Sequence, residues 1–457
     1  MSERLVVVGG DAAGMAAAAQ ARRRRDVDTL EILAFERGRF TSYSACGIPY
    51  WVAGVVPDRD MLIARSPAEH RARGVDVRMR HEVIGIDPAA GTVQVVDLDA
   101  GSEAAVGFDH LMLATGAVPV RPDLPGIDAE GIHGIQTLGD AERLRDDLAR
   151  HRPDRAVIVG GGYIGLEVAG ALLARGLDVT VVHVHAHPIA SLDADMGTLV
   201  AGALRDAGAD LRACHRVEGF DVDPGGRVTA VHTDTGEPIP AGLVVLGLGV
   251  QPDVELARRA GIEIGPAGGV AVDRRCRTSN DAVWSGGDCS EKFHRVRQEP
   301  VAIALGTHAN KQGRVAGINL GGGYATFPGV VGTAATKVCG AEVARTGLTE
   351  EEAEAAGFRT VSETVTSTTR AGYYPEASSL TVKVVAEHRS GRLLGAQIVG
   401  EEGAAKRIDV FATALWNTMT VDELINVDLS YAPPVAPLWD PVLIAARKAW
   451  QAVEAAM

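Results

Sequence analysis

The chain has 457 residues, a length that predicts about three domains, each with its own hydrophobic core. Its formal net charge of -14 argues against nucleic acid or an anionic membrane surface as the main partner. No apolar run reaches the roughly 18 residues of a membrane span, and no charged-then-apolar leader precedes Leu5. The five cysteines show neither metal-ligand spacing nor a disulfide framework, so we expect a cytoplasmic protein without a bound metal.

The chain begins with an apolar strand, a glycine-rich loop and an alanine-rich helix that we expect to run to about Arg25. A second strand, Leu30 to Phe35, ends at Glu36, where an acid can accept hydrogen bonds from an adenosine ribose. Asp11 replaces the middle glycine of the usual motif, and a carboxylate beside a pyrophosphate is unfavourable unless it points away or is hydrogen-bonded. The positions expected to bind the first dinucleotide are Gly9, Gly10, Ala13, Gly14 and Glu36.

A second unit of the same kind spans Ala156 to Val182, and here all three glycines are in place. Gly160 permits the tight turn, Gly162 lets the backbone approach a pyrophosphate, and Gly165 allows the helix to pack against the strand. Two such units in one chain predict two bound dinucleotides, which is far more specific than either motif alone.

Three later segments each place a turn or an acid after an apolar strand. One strand enters a turn at Thr115 and Gly116, and another enters a turn at Gly249, where the chain is expected to leave each unit. A third leads through glycines to Asp288, whose carboxylate is suited to a ribityl hydroxyl. The expected division is a first dinucleotide domain in two parts, a second inserted between them, and a C-terminal domain of strands followed by helices. The first dinucleotide domain comprises residues 1–120 and 251–325, the second comprises residues 121–250, and the C-terminal domain comprises residues 326–457.

Cys46 is the most informative residue, because no second cysteine accompanies it. The positions five residues to either side are Thr41 and Trp51, so no internal redox disulfide can form there, and a second sulfur or oxygen must come from a substrate. A helix is expected to start near Pro49, and the partial positive charge there should favour the thiolate. The alternative is a buried structural cysteine, since free cysteines are commonly inert and buried.

Together these marks resemble the FAD-dependent pyridine nucleotide–disulfide oxidoreductases over essentially the whole chain. The single cysteine is similar to the branch of coenzyme A-disulfide reductases and NAD(P)H oxidases or peroxidases. Segments 371–375, 406–409 and 431–434 look like coenzyme A-disulfide reductase signatures, and the first glycine loop lacks the histidine usual in the oxidases and peroxidases. Ala45 departs from the asparagine that this family commonly has before the cysteine.

The resemblance implies an α/β fold with two Rossmann-like dinucleotide-binding domains, for FAD and NAD(P), and a C-terminal α+β dimerisation domain. It implies a homodimer that reduces a small-molecule disulfide, coenzyme A disulfide, with NADPH or NADH. Coenzyme A would be both the substrate and the partner of Cys46 in a mixed disulfide. Tyr431 and Tyr373 would complete the active site of the partner subunit across the interface, with Tyr374 as the fallback for Tyr373.

Further residue roles follow from the same resemblance. Ser42 would bind substrate near the thiol, and Arg23 would face the coenzyme A phosphates unless it belongs to a solvated helix face. Tyr163 would cover the flavin until nicotinamide displaces it, and Glu167 would hold the nicotinamide, unless these residues are plain packing or a solvated charge. The expected cofactor-binding residues beyond the first loop are Thr115, Gly116, Gly160, Gly162, Tyr163, Ile164, Gly165, Glu167, His183, Gly249 and Asp288.

His183 occupies the place where relatives that prefer NADH usually carry an acid. Without that acid a 2′-phosphate meets no repulsion, and a charged histidine could donate a hydrogen bond to it. We therefore expect NADPH to be used at least as well as NADH. The alternatives are a solvated turn or a metal site formed with His185 and His187.

Three other functions remain open from the sequence. An NAD(P)H oxidase or peroxidase would cycle Cys46 through a sulfenic acid. A persulfide or polysulfide reductase could share the same scaffold. A flavin-bound redox sensor or scaffold without catalytic turnover is the alternative from a different class.

Overall fold

The computed structural model describes residues 2–456. Residues 2–119 form the first glycine unit and a small antiparallel sheet. Two 3₁₀ turns, Ala45–Gly47 and Arg59–Leu62, flank the helix α2. The elements in this segment are β1 (Glu3–Val8), α1 (Ala12–Arg22), β2 (Leu30–Glu36), α2 (Ile48–Ala53), α3 (Pro67–Ala72), β3 (Asp76–Met79), β4 (His81–Asp87), β5 (Thr92–Asp97), β6 (Ser102–Gly107), β7 (His110–Leu113) and β8 (Ala117–Pro119).

The second glycine unit follows, with its own antiparallel hairpins. Its elements are β9 (Ile132–His133), α4 (Leu138–His151), β10 (Arg155–Val159), α5 (Tyr163–Ala174), β11 (Asp178–His183), α6 (Ala194–Asp206), β12 (Asp210–Ala213), β13 (Val217–Val222), β14 (Val228–Thr233), β15 (Ile239–Pro240), β16 (Leu243–Leu246) and β17 (Val250–Pro252). The chain then returns to the first unit through α7 (Glu255–Arg259), β18 (Val283–Ser285), β19 (Lys292–His294), β20 (Glu299–Val301) and α8 (Gly306–Leu320).

Two five-stranded parallel sheets organise these two units, in the orders β18-β7-β1-β2-β3 and β12-β11-β10-β16-β9. Their inner strands β1, β7, β10 and β16 are almost continuous apolar runs, as expected for parallel strands that are covered on both faces. The chain crosses between the units on the antiparallel pair β8–β17, and β18 re-enters the first sheet beside β7.

Helices α1 and α8 pack closely on the first sheet because glycines line their contact. A Cβ atom at Gly313 would lie 2.2 Å from the carbonyl oxygen of Ala13, and one at Gly317 would lie 2.3 Å from that of Ala17. Gly287 also lies close to Ala13, because a Cβ atom at Gly287 would be 2.9 Å from the methyl group of Ala13. The turn that carries Asp288 therefore lies beside the first turn of α1.

The C-terminal domain is an antiparallel sheet, ordered β21-β22-β25-β24-β23, with helices packed against it. Its core is apolar and includes the fully buried Phe411, Leu394 and Ile398. The elements are β21 (Ala334–Val338), β22 (Ala341–Gly347), α9 (Glu350–Ala355), β23 (Thr360–Thr368), β24 (Ser379–Glu387), β25 (Leu393–Gly400), α10 (Ile408–Trp416), α11 (Val421–Ile425) and α12 (Pro441–Ala456).

The predicted architecture of two Rossmann-like units and a C-terminal α+β domain is confirmed. One boundary was wrong, because α1 ends at Arg22 and does not reach Arg25. The Arg22 guanidinium donates to the carbonyl oxygens of Gly74, Arg25 and Leu30, and so closes the chain into the turn before β2. Within residues 2–456, no helix combines the length and the apolar character needed to cross a bilayer.

Candidate active site

Cys46 lies in the 3₁₀ turn Ala45–Gly47, directly before α2, and it is exposed. Backbone hydrogen bonds hold this turn: the N–H of Ser44 donates to the carbonyl of Leu62 at 2.8 Å, and that of Gly47 donates to Ser44 at 2.9 Å. A Cβ at Gly47 would lie 2.4 Å from Leu62 Cδ2, so a larger residue after the cysteine would have to displace the Leu62 side chain. Cys46 is therefore not the buried structural cysteine considered as the alternative.

Two arginines of the second unit hold the C-terminal end of α2. Arg145 donates to the carbonyl of Trp51 at 3.1 Å, and its guanidinium carbon lies 4.4 Å from the centre of the indole ring. Arg175 donates to the carbonyl of Val52 at 3.0 Å. These carbonyls belong to the last turn of the helix, where that of Trp51 also accepts the N–H of Gly54 at 3.1 Å. The turn that carries Cys46 is thus fixed at the junction of the two dinucleotide units.

The protein groups of one protomer raise the pKa of Cys46. Partial desolvation of the sulfur is the largest cause, and the negative charges of Glu167 and then Asp288 add to it. The protein groups of one protomer therefore favour the Cys46 thiol over the thiolate, contrary to the expectation from the sequence. Burial of the sulfur and then the two carboxylates oppose the partial positive charge at the start of α2, a helix of only six residues. Stabilisation of the thiolate has to come from the cofactor or from the partner subunit.

Glu167 and Tyr163 both lie on α5, one helical turn apart and on the same face. Glu167 accepts a hydrogen bond from Thr336 Oγ1 at 2.6 Å, and burial raises its pKa. The Tyr163 hydroxyl lies 3.2 Å from Ser191 Oγ, and burial raises the pKa of its phenol. The two side chains predicted to meet nicotinamide are thus brought together, and Glu167 also reaches Cys46 electrostatically.

Ser42 has a partner that the sequence analysis missed. Its Oγ lies 2.9 Å from Nε2 of His70, a histidine only 3 % exposed on α3. Burial lowers the pKa of His70 to about 4, and the nearby Arg65 and Arg73 add to this, so the imidazole is neutral at neutral pH. Ser42 also has a φ of +51°, which is strained for serine and typical of functional loops. A single histidine on a short helix carried no sequence signal for this contact.

The first glycine loop fits a dinucleotide. Gly9 has a φ of +104°, and a Cβ at Gly14 would lie 2.0 Å from the carbonyl oxygen of Gly9. Glu36 Oε2 accepts the N–H of Gly10 at 2.8 Å, which holds the acid at the end of β2. Asp288 has a buried carboxylate oxygen, Oδ1, with no hydrogen-bond partner in residues 2–456. Such an atom calls for a donor, and a hydroxyl group of FAD would supply one.

Asp11 resolves the concern about a carboxylate in this loop. Burial raises the pKa of Asp11 to about 6, and the negative charges of Glu36 and Asp288 add to the shift. The backbone N–H groups of Tyr43 and Ala12 lower the pKa of Asp11, but less than burial raises it. Asp11 therefore takes up a proton more readily than an ordinary aspartate, and its neutral form would not repel a pyrophosphate.

The second loop is built like the first. Gly160 has a φ of +114°, and a Cβ at Gly165 would lie 2.1 Å from its carbonyl oxygen. A Cβ at Gly162 would meet no atom within 4 Å, which leaves open space for a pyrophosphate beside the start of α5. Ile164 is 40 % exposed at the same edge.

The two exits from the units also match the predicted turns. Gly116 and Gly249 have φ values of +75° and +87°, which favour glycine. Thr115 Oγ1 donates to the carbonyl of Asp253 at 2.6 Å, and so ties the first exit to the strand by which the chain returns.

His183 occupies the same place in the second unit as Glu36 does in the first. The N–H of Gly10 donates to Glu36, and correspondingly the N–H of Gly161 donates to His183 Nδ1 at 3.1 Å. Burial lowers the pKa of His183, and the neighbouring His185 adds to this. The imidazole is therefore neutral, with its proton on Nε2, which is buried and without a partner in the described chain. The charged donor that we predicted for a 2′-phosphate is corrected to a neutral N–H.

Tyr373 and Tyr431 are brought together although they lie far apart in the sequence. They are 77 % and 46 % exposed, and the pKa of Tyr373 is raised mainly by its hydrogen bond with Tyr431. Tyr374 is half-buried, and its N–H donates to the carbonyl of Ala371 at 2.7 Å. Tyr373, and not the fallback Tyr374, is therefore the partner of Tyr431.

Arg407 fixes the two tyrosine loops relative to each other. Its guanidinium donates to the carbonyl of Thr369 at 2.7 Å and to that of Val435 at 3.2 Å, and it pairs with Asp440 at 3.1 Å. This contact gives a structural reason for the segment 406–409 that the sequence analysis had singled out.

Arg23 and the other four cysteines make no contact described above with Cys46 or with the tyrosine pair. Arg23 is exposed and makes no ion pair in residues 2–456, which agrees with a solvated helix face. Cys276 and Cys289 are buried, Cys339 is partly buried and Cys214 is exposed. No cluster of three or more His, Cys, Asp or Glu side chains that could hold a metal occurs in the part of the chain that the structure describes.

Two family models cover most of the chain. Residues 3–313 match the pyridine nucleotide-disulphide oxidoreductase family, and residues 333–441 match the dimerisation domain of the same family. A curated relative, the "NAD(P)H sulfur oxidoreductase (CoA-dependent)" of Pyrococcus abyssi, is 37 % identical and covers 97 % of both chains. The chain belongs to the pyridine nucleotide-disulphide oxidoreductases. It is an NAD(P)H-dependent flavoprotein oxidoreductase with FAD and NAD(P)H as its cofactors.

Solved structures share the whole fold. A NAD-dependent persulfide reductase from A. fulgidus has a TM-score of 0.95 at 38 % identity, covering 99 % of this chain and 84 % of its own. The reduced CoADR-RHD of Bacillus anthracis has a TM-score of 0.95 at 31 % identity, covering 100 % of this chain and 81 % of its own. The likeness therefore includes all three parts of the present chain.

The first prediction concerns the charge beside the thiol. Glu167→Gln removes that charge, while the amide oxygen can still accept the hydrogen bond from Thr336. We expect the pKa of Cys46 to fall by about half a unit to one unit. The alkylation rate of Cys46 in the reduced protein, measured against pH by peptide mass spectrometry, should then have its midpoint at lower pH. The matched control is Glu255→Gln on the exposed surface of α7. An unchanged midpoint in Glu167→Gln would contradict the electrostatic account.

The second prediction concerns the choice of nicotinamide cofactor. His183→Glu should accept the N–H of Gly161 as Glu36 accepts that of Gly10, but its charge would repel a 2′-phosphate. We expect the KM for NADPH to rise about tenfold or more, while the KM for NADH changes little. His183→Gln keeps a neutral side chain and should retain use of NADPH. A native enzyme that strongly prefers NADH would show that His183 does not face the ribose.

Proposed function

We propose that the protein reduces coenzyme A disulfide with NADPH or NADH, using Cys46 as its single redox thiol. The observation that carries this proposal is an exposed Cys46 with no second cysteine to close an internal disulfide. Such a thiol takes its redox partner, a sulfur or an oxygen atom, from the substrate. The names of the relatives in Pyrococcus and Bacillus, which refer to CoA, support coenzyme A as the carrier of that sulfur.

The reaction combines one thiol–disulfide exchange with one two-electron reduction of the mixed disulfide. The Cys46 thiolate attacks one sulfur of the disulfide, forming a Cys46–coenzyme A bond and releasing one coenzyme A thiolate, which takes up a proton. Two electrons from NAD(P)H and a second proton then break the mixed disulfide, regenerate Cys46 and release the second thiol. Bound FAD supplies the two-electron transfer between nicotinamide and sulfur.

The protein groups have separate roles in this scheme. Glu167 would hold the nicotinamide, and Tyr163 would cover the flavin until nicotinamide displaces it. Ser42 would hydrogen-bond the substrate near the thiol. The phenols of Tyr373 and Tyr431 would hydrogen-bond or protonate the departing thiolate. Because Glu167 and Asp288 raise the pKa of Cys46, these phenol donors are the protein groups best suited to offset that effect.

A second candidate is favoured by one observation. The 38 % identity to a persulfide reductase exceeds the 31 % identity to CoADR-RHD over similar coverage. In that case the substrate would be a coenzyme A persulfide. Attack by the Cys46 thiolate on the sulfur bonded to coenzyme A would break the S–S bond, form the mixed disulfide and release hydrosulfide. Anaerobic oxidation of NADPH, measured separately with coenzyme A disulfide and with coenzyme A persulfide, distinguishes the two candidates.

We propose further that the active protein is a homodimer. Around the tyrosine pair, Val435, Leu438 and Trp439 are 63 %, 70 % and 50 % exposed. A group of exposed apolar side chains of this size is typical of a protein interface. It lies within the segment that matches a dimerisation domain, and a C2 dimer would bring the tyrosines to the partner's thiol.

The third prediction tests the proposed carrier. We expect purified protein to carry coenzyme A disulfide-linked to Cys46, because the exposed thiol has no resolving cysteine. The intact mass should fall by one coenzyme A per chain on reduction, and Cys46→Ser should show no such loss. Sulfenate at Cys46 with no loss of coenzyme A would favour the oxidase or peroxidase function.

The fourth prediction tests assembly of the site. In a heterodimer of Cys46→Ser and Tyr431→Phe chains, one site combines the intact Cys46 with an intact Tyr431 from the other chain. Mixing the two variants should therefore restore about one working site per heterodimer. Tyr374→Phe, outside the tyrosine pair, is the control variant, and its homodimer should keep native turnover without mixing. If heterodimers form without regained turnover, Tyr431 does not act across the interface.

A further inference from the structure

Lys292, the first residue of β19, is a lysine inside the protein. It is 2 % exposed, and its Nζ donates to the carbonyl oxygens of Gly287 at 2.6 Å and Ser290 at 2.8 Å. It forms no ion pair with any residue in the range 2–456. A buried ammonium is costly unless its donors are satisfied and an anion lies nearby, so its presence calls for a reason.

The two carbonyls bracket Asp288. The same turn is also held from α8, where Gln312 Oε1 accepts the N–H of Gly287 at 3.0 Å and lies 3.3 Å from Ser290 Oγ. Lys292 and Gln312 thus fix the backbone on both sides. The carboxylate of Asp288 is left with its buried Oδ1 unpartnered, beside the first turn of α1.

The charges of Asp288 and Lys292 act on each other. Burial raises the pKa of Asp288, and the charge of Lys292 lowers it again. Burial lowers the pKa of Lys292, and Asp288 raises it. Each group therefore helps to keep the other ionised. The other titratable groups that face this pair are Asp11, Cys46, Cys276, Cys289, Glu291 and His308.

We propose that Lys292 is a positioning residue for FAD: it fixes the turn from Gly287 to Ser290 and maintains Asp288 as a carboxylate that accepts hydrogen bonds from the cofactor. An ionised carboxylate accepts at all its lone pairs and binds hydroxyl groups more strongly than a neutral acid does. This role depends on membership of the flavoprotein family and not on coenzyme A as substrate. It can therefore fail or hold independently of the proposed function.

The test is FAD affinity, measured by titrating deflavinated protein with FAD and following flavin fluorescence. Lys292→Met should raise the Kd for FAD, and the rise should grow as the pH is lowered, to about tenfold for each unit by which the pKa of Asp288 increases. Without Lys292 the pKa of Asp288 is higher, so Asp288 becomes protonated at a higher pH. When the solution is acidified, the variant should therefore lose affinity for FAD at a higher pH than the native protein does. Lys311→Met, on the exposed surface of α8, is the matched control and should bind FAD normally.

A double-mutant cycle separates this role from general support of the fold. In an Asp288→Asn background, Lys292→Met should have a much smaller effect on the Kd, because the carboxylate it maintains is gone. Equal effects in both backgrounds, or native affinity in Lys292→Met, would overturn the proposal. If Lys292→Met does not fold, Lys292→Gln takes its place, because its amide can still donate to a backbone carbonyl but carries no charge. It should weaken FAD binding, most strongly in acid, and native affinity in Lys292→Gln would overturn the proposal.

Discussion

The position of Cys46 depends on how α2 is held between the two dinucleotide units. A helix of six residues is not stable alone, so its geometry is set by its contacts. The side chains of Ile48 and Val52 are buried in the core that α2 shares with α4 and α5. Arg145 and Arg175 donate hydrogen bonds to backbone carbonyls in the last turn of α2. A rotation between the two units would therefore move the sulfur relative to both cofactor loops.

Negative charge is the second constraint on the site formed by Cys46 and the first glycine loop. Asp11, Glu36 and Asp288 converge around the first glycine loop, and Glu167 lies beside the thiol. The protein offsets these charges with backbone N–H groups at the starts of α1 and α5, which also attract the phosphates of a dinucleotide. The pKa values of Asp11 and Cys46 are raised, first by burial and then by these neighbouring negative charges. Binding of cofactor and substrate is thus linked to protonation at the site.

The C-terminal domain contributes to the site in two ways. Within its own chain it reaches the second unit, where Thr336 donates to Glu167 and Arg345 donates to the carbonyl of Ser191 at 2.7 Å. At its far edge, Arg407 joins the loops that carry the exposed tyrosine pair. One side of the domain therefore supports residues predicted to meet nicotinamide, while the other presents phenols for the proposed dimer.

The sequence by itself determined the two glycine units, the order of the domains and the isolation of Cys46. These features follow from local patterns: glycine spacing, apolar runs and the absence of a nearby cysteine. It also predicted that Tyr373 and Tyr431 belong together, but only through resemblance to a family. Tertiary structure decided the rest, because pKa values and side-chain partners depend on groups that are distant in the chain. The raised pKa of Cys46, the neutral His183, the Ser42–His70 contact and the buried Lys292 all arise from such packing. No local pattern encodes them, since each depends on which surfaces the folded chain brings into contact.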